Sequence, residues 1–419
     1  MTHSTLGRWT FLAVLAAAGS AQAQTMCDDT IGTHRVFILA ADTQVPALNA
    51  LGAKLKTLPT PITLVYTPAG SCANIADLYT NTWVTNAAGG GTFYIPDGFD
   101  PTTTPTAPTC TVPAGTKPDM AISIVFPDLT DCPTSGTMPS TITATQGPVQ
   151  AMLFAVPGGV GATTGSTQQT ITAEEAYLIM GLGATGSQTP PWNDPQYIYG
   201  RTASKGTQVS IGANIGVAAA KWKLLADPQH EIDQSTGVAT ALANLLPTSN
   251  AVQGLGILGV EIYDSGTNRS QMHALAYRAY GQYHSYWPDS TPTGFDKQNV
   301  RDGHYPLWSY VQYLAPQAAA PMTGAANPDA QTVIDYFTDS VTTPPFEPLD
   351  VIIGNHLVPE CAMKVTRSVE GGAESAYSSS APCGCYFDFV VSGATTCAAC
   401  SDTMACATGT CRHGYCEAK

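Results

Sequence analysis

An arginine, a lysine and a run of hydroxyl and glycine residues fall together in Arg201-Thr202-Ala203-Ser204-Lys205-Gly206-Thr207, and this stretch opens a segment with helical character. Such a combination holds a small oxyanion. A guanidinium grips from one side, while hydroxyls and free N–H groups at a helix N-terminus grip from the other. The chemistry is binding, and bond-breaking machinery has little support elsewhere. The chain contains no Gly-x-Ser-x-Gly, no His-Glu-x-x-His and no Walker loop. His230 and Glu231 are adjacent, but no second metal ligand follows at helical spacing. The chain reads as a binding protein and not an enzyme, with no cofactor implied.

The elements that must position these residues alternate between strand and helix, as in a doubly wound α/β fold with loops at the strand ends open to a ligand. Residues 36–40 read as a buried strand. Val45, Leu48, Leu51 and Leu55 then repeat at helical spacing, with Thr43 as N-cap and Pro46 in the first turn. A strand at 62–66 precedes a helix near 74–79. Residues 84–118, with Gly89-Gly90-Gly91 and a Pro/Thr-rich run at 100–111, read as a surface excursion. Strands are expected at 119–126, 150–156 and 254–263, the second marking a crossing to another lobe. Thr172-Ala173-Glu174-Glu175 is a capping box. A helix is expected over 206–225, and Asn327-Pro328 opens another through Phe337. Residues 273–280 fit helix or strand.

The compartment follows from the N-terminus and the cysteines. Arg8, an apolar run over 9–18 and Ala21-Gln22-Ala23 form an export signal, so residues 1–23 are expected to be removed. The rest carries 16 basic and 31 acidic residues, a net charge of −15 against −14 for the whole chain. That balance argues against nucleic acid and against anionic membrane surfaces. All 12 cysteines lie beyond the signal, an even set in an oxidising compartment, so disulfides are expected. Cys361, Cys383, Cys385, Cys397, Cys400, Cys406, Cys411 and Cys416 crowd the end, where composition turns to Cys, Ser, Ala and Gly. Zinc held through Cys383, Cys385, Cys397, Cys400 and His413 is the alternative to disulfides. Cys72 is expected in a disulfide, with Cys27 one candidate partner.

A series of landmarks over residues 34–316 resembles the periplasmic phosphate-binding proteins of ABC importers, within the type II solute-binding superfamily. Ala41-Asp42-Thr43-Gln44-Val45-Pro46 resembles the first anion loop, Ala69-Gly70-Ser71-Cys72 the second, and Asp119-Met120-Ala121-Ile122-Ser123-Ile124 the third. Trp192-Asn193-Asp194 with Arg201 and Gly206-Thr207 resembles the fourth, and Val300-Arg301-Asp302-Gly303-His304 a turn near the end of the second lobe. The resemblance implies a two-lobed fold, with 34–149 and 303–358 as one lobe, 150–302 as the other, and 361–419 as a disulfide-rich appendage. It implies ligand contacts from Thr43, Gln44, Gly70, Ser71, Ser123, Arg201, Ser204, Lys205, Gly206 and Thr207. It also implies a monomer in the periplasm or at the cell surface that captures a small anion (phosphate, sulfate or carboxylate), either for import through an ABC permease or for sensing.

Three departures bear on specificity. Ile124 stands where the family places an acidic residue, Lys205 replaces a hydroxyl residue, and Cys72 replaces glycine. Loss of the acid and gain of a lysine favour a fully deprotonated anion or a larger ligand. They also leave open a structural or surface protein that has lost phosphate binding. Each candidate has a plainer reading: Arg201 and Lys205 as surface charges, Thr43 and Ser71 as helix caps, and 296–304 as a turn held by ion pairs. Tyr280, Tyr283, Tyr286 and Trp287 read as packing between lobes.

Overall fold

A computed structural model of the chain describes residues 25–418, apart from 88, 129, 134, 224–229, 318–325 and 402–405. The expected export signal at 1–23 lies outside the described residues.

The frame is a ten-stranded sheet. Its strands are β1 (Arg35–Ala41), β2 (Thr63–Ala69), β3 (Phe93–Tyr94), β4 (Met120–Ser123), β5 (Ile142–Pro157), β6 (Ile198–Arg201), β7 (Glu231–Ile232), β8 (Leu255–Gly259), β9 (Met272–Ala274) and β10 (Trp308–Pro316). Their spatial order is β3-β2-β1-β4-β10-β5-β8-β6-β7, with β9 also on β5. β1 runs parallel to β2 and β4, and β6 runs parallel to β7 and β8. Parallel strands covered on both faces explain the continuous apolar runs: Val36, Ile38, Leu39 and Ala40 of β1 are all buried.

β5 joins the two halves. It pairs antiparallel with β10 from Ile142 to Ala151, then with β8 from Met152 to Ala155. β10 also pairs with β4, returning the chain to the first half after residue 307. The helices that follow the strands are α1 (Val45–Leu55), α2 (Ser71–Tyr79), α3 (Ala173–Tyr177), α4 (Gly206–Ile215), α5 (Ser235–Leu245), α6 (Pro328–Phe337), α7 (Pro348–Gly354) and α8 (Gly384–Ser392). Leu48, Leu51 and Leu55 of α1 join Ile38 and Leu64 of the sheet in one apolar core. Each such side chain contributes about 1.5–3 kcal/mol by leaving water.

Local signals fix several boundaries. Thr172 accepts from Glu175 N while the Glu175 carboxylate accepts from Thr172 N, the reciprocal box that starts α3. Asn327 accepts from Asp329 N ahead of Pro328 and starts α6. Other expectations are corrected. Thr43 caps nothing: Asp42–Gln44 form a 3-10 turn, and α1 begins at Val45. The helix expected over 206–225 stops at Gly216, whose φ of 75° only glycine adopts without strain. The strand expected over 254–263 ends at Gly259 and becomes a short helix, Val260–Tyr263. Tyr280 and Tyr283 are exposed, whereas Tyr286 and Trp287 pack on the core.

Cys27 pairs with Cys110, and Cys72 with Cys132, so the suggested Cys27–Cys72 bridge is wrong. The first bridge ties the surface excursion back to the N-terminus. The terminal cysteines pair among themselves as Cys361–Cys383, Cys385–Cys397, Cys400–Cys411 and Cys406–Cys416. They therefore offer no thiolate to zinc. This region also holds α8, whose first N–H groups, of Cys385 and Tyr386, donate to the Glu417 carboxylate at 2.9 Å each. Arg301 reaches Asp388, and His413 reaches Glu347, fastening the terminal segment to the body.

Within residues 361–419, Val365–Thr366 and Ser375–Ala376 form a small hairpin. Its loop carries Glu370, which is buried and accepts from Ser210 Oγ of α4 at 2.6 Å and from Ser309 Oγ of β10 at 2.7 Å. Arg367 lies 3.6 Å over the Trp308 ring. The hairpin thus straps the second half of the sheet to the first.

Candidate ligand site

Four strand ends converge. β2 stops at Ala69, and Gly70 leads into α2; a Cβ on Gly70 would lie 2.7 Å from the carbonyl oxygen of Ser204. Glycine therefore lets the turn before α2 meet the turn before α4, and Cys72 N donates to Ser204 O at 3.2 Å. Ser71 Oγ accepts from Ile124 N at 3.1 Å, linking in the end of β4. A Cβ on Gly206 would fall 2.2 Å from Ile124 Cγ1 and 2.6 Å from Ser71 Oγ. Ser123 turns away, with its hydroxyl spent on the backbone of Val125. Gly70, Ser71, Ser204 and Gly206 thus meet as the landmarks imply, and Ile124 packs over the point where they meet.

The end of β1 supplies the charge partner. Arg201 is fully buried, and its guanidinium donates to Asp42 Oδ2 at 2.7 Å, Asp233 O at 2.6 Å, Ile232 O at 3.0 Å and Ser235 Oγ. Ser235 N, at the start of α5, also donates to Asp42 Oδ2, at 3.3 Å. The Asp42 carboxylate therefore rests on a guanidinium and a helix N-terminus, the two features that attract anions. Lys205 is buried with Nζ 2.9 Å from Asp233 Oδ1 and 3.9 Å from Asp42 Oδ1. Two cations thus meet two carboxylates. The surface-charge reading of Arg201 and Lys205 is overturned.

A buried side-chain relay backs this group. Gln44 Nε2 donates to Gln150 Oε1, and Gln150 Nε2 donates to Glu261 Oε2 at 2.9 Å. Burial pushes the Glu261 carboxyl well above the usual range, and the nearby Asp42 and Asp264 charges add to the shift. Around the ion group, Thr43 Oγ1, Gln44 Oε1 and Thr207 Oγ1 are buried with no hydrogen-bond partner, while Lys205 Nζ and Asp233 are engaged through their ion pair. Buried polar atoms are nearly always paired, so these three are the groups here with hydrogen-bonding capacity still unused.

A cavity of about 350 Å³ opens beside the group, with Asp42 and Ser235 at its wall. Val45, Pro46, Phe93, Pro105 and Ile262 give most of the remaining lining an apolar character. Cavities of about 120 and 550 Å³ lie instead along the terminal segment, beside Arg412 and Glu417 respectively.

The sequence reading missed Asp42, Asp233, Ser235, Gln150 and Glu261. Asp42 stands beside the expected contact Thr43 at the end of a strand. Asp233-Gln234-Ser235 ahead of Val238 and Leu242 carries a helix-start signal that marks a second N-terminus in this region. Gln150 and Glu261 give no such signal, because their pairing depends on how distant strands line up.

No family model matches the chain, and no curated protein matches it. Solved structures do. A putative phosphate ABC transporter substrate-binding protein with bound phosphate from Clostridium perfringens is 11% identical, with a TM-score of 0.45, over 78% of this chain and 99% of that one. An ABC-type phosphate transport receptor from Vibrio cholerae is 12% identical, with a TM-score of 0.46, over 78% and 99%. A Synechocystis CcmR regulatory domain in complex with 2-PG is 10% identical, with a TM-score of 0.37, over 75% and 100%.

Proposed function

We propose that the chain is an exported solute-binding protein whose inter-lobe seat takes an oxyanion group, and that Asp42 fills this seat when no ligand is bound. The carrying observation is the Asp42 carboxylate held between Arg201 and Ser235 N. Arg201, the α5 N-terminus, Thr43, Lys205 and Thr207 form the seat, with Gly70, Ser71, Ser204 and Gly206 shaping its floor. The lobes are 34–149 with 303–358, and 150–302; residues 361–419 form the terminal module. Six disulfides suit an oxidising compartment. Among the described residues no helix is long and apolar enough to cross a membrane. The protein acts as a monomer that delivers its solute to a permease or reports its presence.

Calorimetric titration with phosphate and sulfate tests the seat. A free anion must displace Asp42 from a charge-assisted contact of about 1.5–3 kcal/mol, so Asp42→Asn is expected to bind at least roughly tenfold more tightly than wild type. Arg201→Met in that background is expected to bind neither. A folded Asp42→Asn protein that binds no anion overturns the seat. A second reading would then hold, a surface protein that has lost its ligand; Ile124 lying over Gly206 and Ser71 favours it.

A further inference from the structure

The charges at the seat limit what can enter it. Arg201 and Lys205 are balanced by Asp42 and Asp233; the two cations and Asp42 are largely removed from water, while Asp233 is 30% exposed. A simple anion arriving at Arg201 adds a negative charge and pushes Asp42 off its cation. Asp42 is only 12% exposed and has little water to receive it. A simple cation meets Asp42 already engaged by Arg201. Unpaired charge in such a place is costly in either case. A ligand carrying both charges avoids the cost. Its carboxylate takes the Arg201 and α5 contacts, its ammonium pairs with the displaced Asp42, and the total charge stays unchanged.

The cavity extends the argument. Its volume of about 350 Å³ is roughly a dozen waters at ~30 Å³ each, far more than a five-atom inorganic oxyanion fills. It begins at Asp42 and Ser235 and continues between Val45, Phe93, Pro105 and Ile262. Asn49 on its wall is already occupied, accepting from Tyr66 Oη at 2.7 Å and donating to Pro105 O at 3.1 Å. Thr106, Gln234 and Thr236 also line the cavity, while Val45, Pro46, Phe93, Pro105 and Ile262 offer the contact area that suits an apolar substituent.

We propose that this cleft binds a free α-amino acid with an apolar side chain, its carboxylate on Arg201 and the α5 N-terminus and its ammonium on Asp42. The proposal rests on the seat described above and names its ligand.

Titration of the full exported chain with L-phenylalanine, L-leucine, benzoate, phenethylamine and inorganic phosphate tests it. Wild type is expected to bind both amino acids at least tenfold more tightly than benzoate, phenethylamine or phosphate. Asp42→Asn is expected to reverse the order, losing the amino-acid preference and gaining phosphate and benzoate. Thr236→Trp, at an exposed position on the cleft wall, is expected to weaken both amino acids at least tenfold with an unchanged melting temperature. Wild type preferring phosphate or benzoate overturns the zwitterion and leaves the anion seat standing. Amino-acid binding unaffected by Asp42→Asn also overturns it. If neither wild type nor a folded Asp42→Asn binds any probe, the seat itself falls. Should Asp42→Asn fail to fold, the wild-type ranking decides alone.

Discussion

Asp42 and Arg201 meet at 2.7 Å although 159 residues separate them, and their contact joins the end of β1 to the end of β6. Because Arg201 also holds Ile232 O, Asp233 O and Ser235, one side chain ties β1, the turn after β7 and α5 together.

Arg201→Met is expected to cost about 3–5 kcal/mol of folding stability, the scale of removing one member of a buried ion pair. Asp42→Asn is expected to cost less, about 1.5–3 kcal/mol, because the guanidinium keeps its other acceptors. Urea denaturation of both variants measures the difference. Equal losses would show that the remaining Arg201 contacts contribute nothing.

Gly206→Ala places a methyl carbon against Ile124 and Ser71. Overpacking of this kind is expected to cost about 1–3 kcal/mol. Ile124→Ala removes the obstructing carbons, so the double variant is expected to be more stable than the sum of the single losses by about 0.5–3 kcal/mol. Strict additivity in a double-mutant cycle would contradict the packing.

Asp131 gives stability a pH dependence. Burial, then the Glu370 and Asp128 charges, push its carboxyl from 3.8 up to about 7. The folded chain keeps a proton there that the unfolded chain has lost over that interval. Its contribution is therefore complete below the usual carboxylate range and declines as pH rises toward 7. The group is half exposed, so the decline is modest. Melting temperatures of Asp131→Asn are expected to fall less between about pH 4 and pH 7 than those of wild type; parallel curves would refute the assignment.

The terminal module offers a separate test. Peptide mapping without reductant is expected to recover Cys361–Cys383, Cys385–Cys397, Cys400–Cys411 and Cys406–Cys416. Glu417→Ala is expected to speed hydrogen exchange at Cys385 and Tyr386, whose N–H groups lose their acceptor, and to cost about 0.5–2 kcal/mol, as lost helix caps do. Unchanged exchange at those amides would remove the cap.

Short-range patterns made much of the fold legible. The apolar runs of β1 and β2, the box at Thr172 and the Asn327-Pro328 start are each decided by neighbours a few residues apart. That Gly70, Ser71 and Gly206 lie together was legible in part for the same reason, since each sits at a strand-to-helix turn. What escaped depended on distant pairing. Asp42 finds Arg201 only when β1 and β6 are aligned, and Cys27 finds Cys110 only when the excursion at 84–118 folds back. The terminal helix α8 hid because its sequence, Gly384-Cys385-Tyr386-Phe387-Asp388-Phe389, shows weak periodicity and is held by Glu417 from 31 residues downstream.

The Glu370 strap has a mechanical consequence. Rotating α4 away from β10 must draw a buried carboxyl from two hydroxyls and lift Arg367 off Trp308. Each polar group stranded in that motion costs about 1–3 kcal/mol. The strap thus opposes rotation of one half of the sheet against the other, and a ligand whose binding required that rotation would have to offset the cost.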